Sequence, residues 1–378
     1  MPLGNHVIRL SKSCLGAAET NAVSAVLSNE FLGMGSKVNE FESLLENFFG
    51  RTALCVSNGT AALQLALQAC NVGPGDEVLV QSLTYVASFQ AISATGAKPV
   101  SCDIEGEDGT ISISDCQRRL TKRTKAIMPV HYGGGVGKLD LIHQFAKSNG
   151  LRIIEDAAHA FGSSYKGRRI GSFGDVACFS FDGIKNITSG EGGCIVTSDE
   201  QVLEKISDSR LLGVKKDSRS RYEGERSWLF QVEEQGWRYH MSDIMAAIGI
   251  VQLGRFEELA SDRRTLASLY EKTLSPMEKV TCIPRDYSQV VPHIFPIRIK
   301  NLSDRQAIRD KLLEDGIQTG IHYQPNHWLD LYKCPEADAL PVTDEFFSEQ
   351  LSLPLHPDLT KEEVIFICNK VFELINAG

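Results

Sequence analysis

The sequence predicts an α/β fold: a large domain built on a mostly parallel sheet, followed by a smaller α+β domain. Two observations support this fold class. Short apolar runs alternate with helix-forming segments over about 200 residues, which is typical of a parallel sheet with helical crossovers. After about residue 245 the alternation stops and a long helical segment begins. We therefore expect a large domain at residues 1–250 and a small C-terminal domain at residues 251–378.

The elements of the large domain follow from apolar spacing and turn residues. Residues 16–29 and 36–49 have the spacing of helices. The strand ALCVS at 53–57 precedes the helix NGTAALQLALQAC, and a Gly-Pro-Gly-Asp turn at 73–76 follows it. The later predicted strands are, in order, EVLVQS, KPVSCDI, AIMPVHY, RIIEDA, VACFSF and GCIVTS.

The C-terminal part of the chain mixes helices with few strands. Residues 245–274 read as one long helical stretch that can bridge two domains. A strand is predicted at 293–299, a helix around 303–315, and a final helix at 361–376. This mixture predicts a small α+β domain.

Composition excludes several classes of protein. The net charge of −9, with no basic run, argues against a general nucleic-acid-binding surface. No apolar stretch approaches the roughly 20 residues that span a bilayer, and the first residues lack the apolar core of a signal peptide. The ten cysteines form no CxxC pair, which predicts reduced thiols and no zinc site. We expect a cytoplasmic protein without membrane, metal or nucleic-acid partners.

The segment SNGTAAL, from Ser57 to Leu63, stands between a strand and a helix rich in Ala and Leu. Ser57 or Asn58 can cap this helix, and Gly59 allows the backbone to approach a ligand closely. Free amides at the N-terminus of a helix form a phosphate site. A capped helix without a ligand is the alternative interpretation.

The strand RIIEDA ends in Glu155-Asp156, which places a carboxylate at the C-terminal edge of the sheet, where open α/β sheets bind ligands. An aspartate at this edge can keep the ring nitrogen of pyridoxal phosphate (PLP) protonated, as the cofactor's electron-withdrawing chemistry requires. His159 can orient Asp156 or cover the cofactor ring. A hydrogen-bonded core histidine is the alternative for His159.

The strand VACFSF runs into Asp182-Gly183 and then Lys185. Lysine is rarely buried without a function, and a desolvated lysine condenses with aldehydes. Ser180, five residues earlier, offers a hydroxyl to a phosphate. Tyr85, just after EVLVQS, can stack on an aromatic cofactor. A solvent-facing loop lysine and a core tyrosine are the alternatives.

A phosphate loop, an aromatic residue, an acid at a strand end and Ser-x4-Lys follow in the order typical of fold-type-I PLP enzymes. The chain resembles the DegT/DnrJ/EryC1/StrS sugar aminotransferases over essentially its whole length. The matching stretches are FLGMGSKVNEFE, VSNGTAALQLAL, GDEVLVQSLTYVAS, IIEDAAHAFGSSYKGRRIGSFGD, FSFDGIKNITSGEGG and YHMSDIMAAIG.

The resemblance implies PLP as the cofactor and a homodimer whose active sites lie at the subunit interface. It makes Lys185 the Schiff-base lysine and pairs Asp156 with the pyridine nitrogen of PLP. His159 takes the position beside the cofactor ring. The other implied cofactor contacts are Ser57, Gly59, Thr60 and Ser180 at the phosphate and Tyr85 on the ring.

The chain departs from the family pattern at several positions. Arg238 stands where the family commonly has an asparagine that reaches the phosphate of the partner subunit's PLP. As a charged donor, Arg238 can do the same or can face phosphates of the substrate. Residues 182–184 replace the common His-Pro-Thr before the lysine. Residues 320–328 resemble the family's sugar-pocket segment, and the candidate substrate contacts there are His322, Tyr323 and His327. Support of the domain interface is the alternative role for these three.

The resemblance implies transfer of an amino group from an amino acid, commonly glutamate, to a nucleotide-linked 4-keto-6-deoxy sugar. A 3-keto sugar is the alternative substrate. Sugar dehydratases of the same family characteristically replace the lysine, so Lys185 counts against that activity. A non-catalytic regulator with this fold would be expected to lose Asp156 or Lys185, and both are present.

Overall fold

A computed structural model describes residues 7–215, 222–223, 228–333 and 339–377. Helices and strands alternate through most of the chain. In chain order they are α1 (Ala17–Ser28), α2 (Ser36–Phe49), β1 (Ala53–Val56), α3 (Gly59–Ala69), β2 (Glu77–Gln81), α4 (Val86–Ala94), β3 (Lys98–Cys102), α5 (Ile113–Arg119), β4 (Thr124–Met128), α6 (Leu139–Asn149), β5 (Arg152–Asp156), β6 (Ser164–Tyr165), β7 (Arg168–Arg169), β8 (Val176–Ser180), β9 (Gly193–Thr197), α7 (Glu200–Ser209), α8 (Asp243–Gly254), α9 (Phe256–Leu274), β10 (Val280–Cys282), β11 (Phe295–Ile299), α10 (Arg305–Glu314), α11 (Pro341–Glu349), β12 (Gln350–Leu353) and α12 (Lys361–Ala377).

A seven-stranded sheet forms the centre of the large domain. Its strand order is β1-β9-β8-β5-β4-β2-β3. The pairs β2–β3, β2–β4, β4–β5 and β5–β8 are parallel, whereas β9 runs antiparallel to both of its neighbours, β1 and β8. The predicted α/β fold with a mostly parallel sheet is therefore confirmed.

Both faces of this sheet are covered by helices. Val78 and Val80 of β2 pack into one core cluster with side chains of α3 and α4, whereas Leu79 packs into a second cluster with side chains of α2 and α6. Successive residues of a strand point to opposite faces, so a strand covered on both sides is apolar through its middle positions. This is why the strands of the large domain appear in the sequence as continuous apolar runs.

A three-stranded antiparallel sheet, β10-β11-β12, lies in the C-terminal part of the chain. It packs with α9 and α12 around a separate core that includes Tyr270, Ile297 and Val364. Ile8 joins this core, and its amide donates to the carbonyl of Gly316 at 2.8 Å. The first described residues therefore pack with the C-terminal elements. Residue 250, the predicted boundary, lies inside α8. The division into domains at 1–250 and 251–378 stays a prediction.

The long helix predicted at 245–274 is two helices. Arg255 separates α8 from α9 and has φ −94° and ψ 0°, outside the helical region. Gly254, which has a low helix propensity, precedes the break. The guanidinium of Arg255 lies 2.8 Å from the carboxylate of Glu19, so an ion pair joins the residue at the break to α1. Propensity alone did not reveal this tertiary interaction.

A buried ion pair links three elements of the large domain. The Arg210 guanidinium is fully buried and lies 2.5 Å from the carboxylate of Glu42 on α2. It also donates to the carbonyl of Cys55 at 2.8 Å and to the hydroxyl of Tyr222 at 2.7 Å. A buried charge of this kind is tolerated because several partners replace its water.

Replacing Glu42 with Ala should lower the free energy of unfolding by about 3 kcal/mol, because it leaves the Arg210 cation buried without its carboxylate. Urea denaturation monitored by circular dichroism measures the change. The control is Glu40→Ala, which removes an exposed carboxylate on the same helix that pairs with Lys37 at 2.7 Å. Its expected effect is below about 1 kcal/mol. Equal effects of the two changes would contradict the assignment.

Candidate active site

A cavity of about 610 Å³ lies at the edge of the sheet where β1, β2, β5 and β8 end. The carboxyl ends of parallel strands share one edge, so segments far apart in sequence meet there. The sequence-predicted residues in its wall are Gly59, Thr60, Tyr85, Asp156, His159, Ser180, Lys185, His322 and Tyr323. The structure therefore brings together most of the residues that the sequence analysis selected.

The N-terminus of α3 forms one end of the cavity. The side chain of Asn58 caps this helix by accepting from the Ala61 amide at 2.8 Å. A Cβ atom on Gly59 would lie only 2.8 Å from the Cβ of Ser180, so glycine is needed for this close approach. First-turn amides next to a serine hydroxyl suit a phosphate group. Ser57 is not in the wall, and its amide donates to the carbonyl of Tyr239 at 2.6 Å.

Asp156 stands at the end of β5 with 5% of its surface exposed. Its Oδ2 accepts from the hydroxyl of Ser88 at 2.7 Å, and its Oδ1 accepts from the amide of Ala158 at 3.2 Å. These bonds fix the orientation of the carboxylate, as pairing with the ring nitrogen of a bound cofactor requires. Ser88 escaped the sequence analysis, although a serine one turn after Tyr85 in an apolar helix was a usable signal.

Lys185 follows β8 in a turn whose backbone is closed by its own amide donating to the carbonyl of Asp182 at 3.0 Å. Burial lowers the pKa of Lys185 to about 8, and the opposing charges of Asp156 and Asp182 only partly offset this effect. Its Nζ lies 3.4 Å from Nε2 of His293, a residue that the sequence analysis did not select. The lysine is thus desolvated and close to an imidazole.

His159 forms a side wall of the cavity together with Tyr323. The amide of Gly133 donates to Nδ1 of His159 at 3.3 Å, so the proton of the neutral ring lies on Nε2, which is 3.0 Å from the hydroxyl of Tyr323. Burial, and then the charge of Lys185, hold the pKa of His159 well below its usual value. The Tyr323 ring lies 5.5 Å from that of Tyr85, between ring centres. A neutral histidine and two tyrosines therefore line this side.

His322 precedes Tyr323 and closes the cavity from the C-terminal part of the chain. Its Nδ1 lies 2.8 Å from the hydroxyl of Ser352 on β12, and its carbonyl accepts from the hydroxyl of Tyr132 at 2.5 Å. Burial, and then the charge of Lys185, lower the pKa of His322 to about 4. The ring is therefore neutral at physiological pH.

Two other predicted site residues lie outside this cavity. His327 is held between Ser82 (Nδ1 to Oγ, 2.7 Å) and Asp344 (Nε2 to Oδ1, 3.1 Å), where it joins the end of β2 to α11. Arg238 is exposed, and its backbone pairs with Leu211. Within one chain, His327 thus has the contacts of an interface support, and Arg238 is not among the residues that line the cavity.

These groups fit PLP: a desolvated lysine amine, a carboxylate oriented by two hydrogen bonds, and a helix N-terminus beside a serine. In the described part of the chain, no cluster of three or more His, Cys, Asp or Glu side chains could hold a metal ion. The fold and the site together define an α/β enzyme that depends on PLP.

The chain belongs to the DegT/DnrJ/EryC1/StrS aminotransferase family, which it matches over residues 13–372. It is a sugar aminotransferase, and its cofactor is PLP. The family, the fold, the enzyme class and the cofactor expected from the sequence are therefore confirmed. Among the described residues, no helix has the length and apolar character needed to cross a bilayer.

Two curated relatives and one solved structure illustrate the similarity. The spore coat polysaccharide biosynthesis protein SpsC of Bacillus subtilis is 34% identical, covering 99% of this chain and 98% of that protein. GDP-perosamine synthase of Escherichia coli O157:H7 is 35% identical over 90% of each chain. Spr1654 of Streptococcus pneumoniae, solved in its PLP-form, is 29% identical with a TM-score of 0.91, and the match covers 98% of this chain and 99% of that chain. A PMP-form of the same protein has also been solved.

Replacing Ser88 with Ala should weaken PLP binding about five- to tenfold, because Asp156 loses a buried hydrogen bond of about 1 kcal/mol. Fluorescence titration of the PLP-free protein with PLP measures this affinity. Ser93→Ala is the matched control on the same helix, since the Ser93 hydroxyl contacts Tyr332 and not Asp156. Unchanged affinity in the Ser88 variant would show that this bond does not orient the carboxylate.

The rate at which the PLP-free protein bonds to added PLP should rise about tenfold per pH unit below pH 8 and level off above it. Only the unprotonated amine attacks an aldehyde, and Lys185 loses its proton as the pH rises through its lowered pKa. Stopped-flow absorbance measures the rate, with a free lysine derivative as the control for the cofactor's own titration. A rate that keeps rising to pH 10, as for an ordinary lysine, would contradict the lowered pKa.

Proposed function

We propose that this sugar aminotransferase converts a nucleotide-linked 4-keto-6-deoxy sugar into the corresponding amino sugar, with an amino acid such as glutamate as the nitrogen donor. The observation that carries the proposal is the placement of Lys185 and Asp156 in one cavity at the edge of the sheet. The name of the relative GDP-perosamine synthase specifies a nucleotide-linked sugar, which supports this class of substrate.

Each part of the cavity has a role in this proposal. Gly59, Thr60 and Ser180 hold the phosphate of PLP, and Asp156 keeps its ring nitrogen protonated. Bound PLP supplies an aldehyde that bonds to amines and a ring that withdraws electrons from them. Tyr85 and His159 border the space for this ring.

Lys185 acts first as the residue that bonds to PLP and then as the base of the reaction. Once the donor amine replaces it, its freed Nζ removes the proton from the α-carbon of the donor. The lowered pKa matters here: with a pKa of about 8, about a tenth of the free amine is unprotonated at pH 7, compared with less than about one part in a thousand for an ordinary lysine. The cavity thus provides a usable base near neutral pH.

The sugar is proposed to bind between Lys185 and the segment that enters from the C-terminal part of the chain. His322 and Tyr323 lie in the cavity wall and supply neutral polar atoms for sugar hydroxyls. Tyr85 is 59% exposed and offers an aromatic face at the rim. His327 is a poorer candidate for a sugar contact than His322 or Tyr323, because its two ring nitrogens already form hydrogen bonds with Ser82 and Asp344.

A homodimer with shared active sites is also proposed. Three consecutive apolar side chains are strongly exposed in the single chain: Trp228 (84%), Leu229 (97%) and Phe230 (56%). Exposed apolar patches of this kind are typical of surfaces covered by another protein. In a dimer, exposed Arg238 can reach the cofactor phosphate of the partner subunit or the phosphates of the substrate.

We infer that the protein works in the cytoplasm. All nine cysteines in the described ranges are free thiols, and most of them are buried. Free thiols in this number are typical of a reducing compartment.

Incubation of the PLP-loaded protein with glutamate and a panel of GDP-, dTDP- and UDP-linked 4-keto-6-deoxy sugars should yield a 4-amino sugar, detected by mass spectrometry and NMR. Lys185→Ala should abolish this product and the visible absorbance of lysine-bound PLP. Lys147→Ala, which changes an exposed lysine on α6, should retain both.

The products separate the alternatives. Nitrogen at C3 would establish the 3-keto alternative in place of the 4-keto proposal. A product that has lost a hydroxyl without gaining nitrogen would indicate a dehydratase, and no product with any sugar would favour a non-catalytic role. Normal turnover by Lys185→Ala would overturn the mechanism.

A further inference from the structure

His293 contacts the reactive nitrogen of the site but has no part in the mechanism described above. It precedes β11, in the segment that leads into the three-stranded sheet. Its side chain is 3% exposed, its Nε2 lies 3.4 Å from Nζ of Lys185, and its ring centre lies 4.5 Å from that of His159. The imidazole therefore fills the space directly behind the lysine.

The backbone of His293 is held from two sides. Its amide donates to the carbonyl of Gly133 at 3.3 Å, and its carbonyl accepts from the guanidinium of Arg263 at 3.2 Å. Arg263 is itself buried and also donates to the carbonyl of Leu355 at 3.3 Å. These bonds fix the backbone that carries the ring, and burial against His159 holds the ring itself beside Lys185.

The surroundings of the ring indicate where its proton lies. Burial, followed by the charges of Lys185, His159 and Arg263, holds the pKa of His293 well below its usual value, so the ring is neutral. Its Nδ1 is buried and has no hydrogen-bond partner in the described part of the chain. A proton on Nδ1 would be an unpaired buried donor, whereas a proton on Nε2 points at the nitrogen of Lys185. The second tautomer is favoured.

A donor at Nε2 suits one protonation state of Lys185. An unprotonated amine has a lone pair that can accept this hydrogen bond, whereas an ammonium group has none. The other charged groups that act on the lysine are Asp156, Asp182 and Arg263. The two carboxylates favour the ammonium form. A donor at Nε2 of His293 has the opposite effect, because it can bond only to the amine.

We propose that His293 is a positioning residue that holds the amine of Lys185 in its unprotonated form whenever this nitrogen is not bonded to PLP. The inference rests on the proposed role of Lys185 and deepens it. A freed lysine has four rotatable bonds and can leave the reacting atoms, so a fixed donor behind it restricts its movement. The hydrogen bond keeps the nitrogen unprotonated, and it must break when the lone pair takes up a proton.

The test measures the pKa of Lys185 itself. Full-length protein is prepared free of PLP, and a second sample is loaded with pyridoxamine phosphate, to which lysine does not bond. Both are labelled briefly with acetic anhydride over a range of pH, and acetylation of the peptide that carries Lys185 is followed by mass spectrometry. The wild-type midpoint is expected near pH 8.

His293→Phe keeps an aromatic ring against His159 but removes the donor. It should raise the midpoint for Lys185 by about one pH unit, because loss of one hydrogen bond to the amine shifts the equilibrium about tenfold toward the ammonium form. His293→Gln, whose amide nitrogen reaches nearly the same place as Nε2, should restore the wild-type midpoint. His143→Gln changes a histidine on α6 outside the cavity and should have no effect.

An unchanged midpoint in His293→Phe would overturn the proposal, because it would mean that His293 does not affect the protonation of Lys185. A lowered midpoint would also overturn it, because it would mean that His293 accepts a hydrogen bond from the ammonium form of Lys185. If His293→Phe does not fold, His293→Asn replaces it in the test. The shorter side chain places its amide donor too far from Lys185 for a hydrogen bond, so the same rise in the midpoint of Lys185 is expected. The labelling requires no turnover, so it would give the same result even if the proposed sugar substrate were wrong. Conversely, the outcome of the sugar assay does not depend on whether the proposed role of His293 is correct.

Discussion

The site depends on the removal of water from the amine of Lys185. Water stabilises an ammonium group, so placing the lysine in the wall of a cavity, largely out of water, lowers its pKa to about 8. The proposed roles of the amine as nucleophile and base near neutral pH require such a lowered pKa. Burial also makes the ammonium form of Lys185 less stable. The negative charges of Asp156 and Asp182 partly offset this loss, so the pKa falls only to about 8. Three neutral histidines around the lysine, His159, His293 and His322, add polar contacts without adding positive charge.

The parallel sheet makes this arrangement possible. The strands β1, β2, β5 and β8 end at one edge, so the N-terminus of α3, the tyrosines, the carboxylate of Asp156 and the amine of Lys185 meet at one cavity. The approach of Gly59 to Ser180 joins two of these segments, and the bond from Ser88 to Asp156 joins two more. The rigid core beneath, apolar on both faces of the sheet, holds these loops at fixed positions.

The C-terminal part of the chain completes the cavity. His322, Tyr323 and His293 all come from beyond residue 274, and each contacts a residue of the large domain. Because no local pattern in these segments reveals which large-domain residue they meet, the sequence predicted His322 and Tyr323 only through resemblance and did not select His293. His327 stays a predicted substrate contact, and the fold adds what the segment alone could not show: its ring lies against Ser82 and Asp344.

The sequence by itself determined the strands, most helices, the family and the cluster around Lys185 and Asp156, because apolar periodicity and short motifs are local properties of the chain. The tertiary structure alone decided the break at Arg255, the support of Asp156 by Ser88 and the contact between His293 and Lys185. Each of these features involves a contact between residues that are distant along the chain: Arg255 with Glu19, Ser88 with Asp156, and His293 with Lys185. Such contacts form only when the elements that carry them pack together. Burial, which sets the pKa of Lys185, is likewise a property of the packed chain.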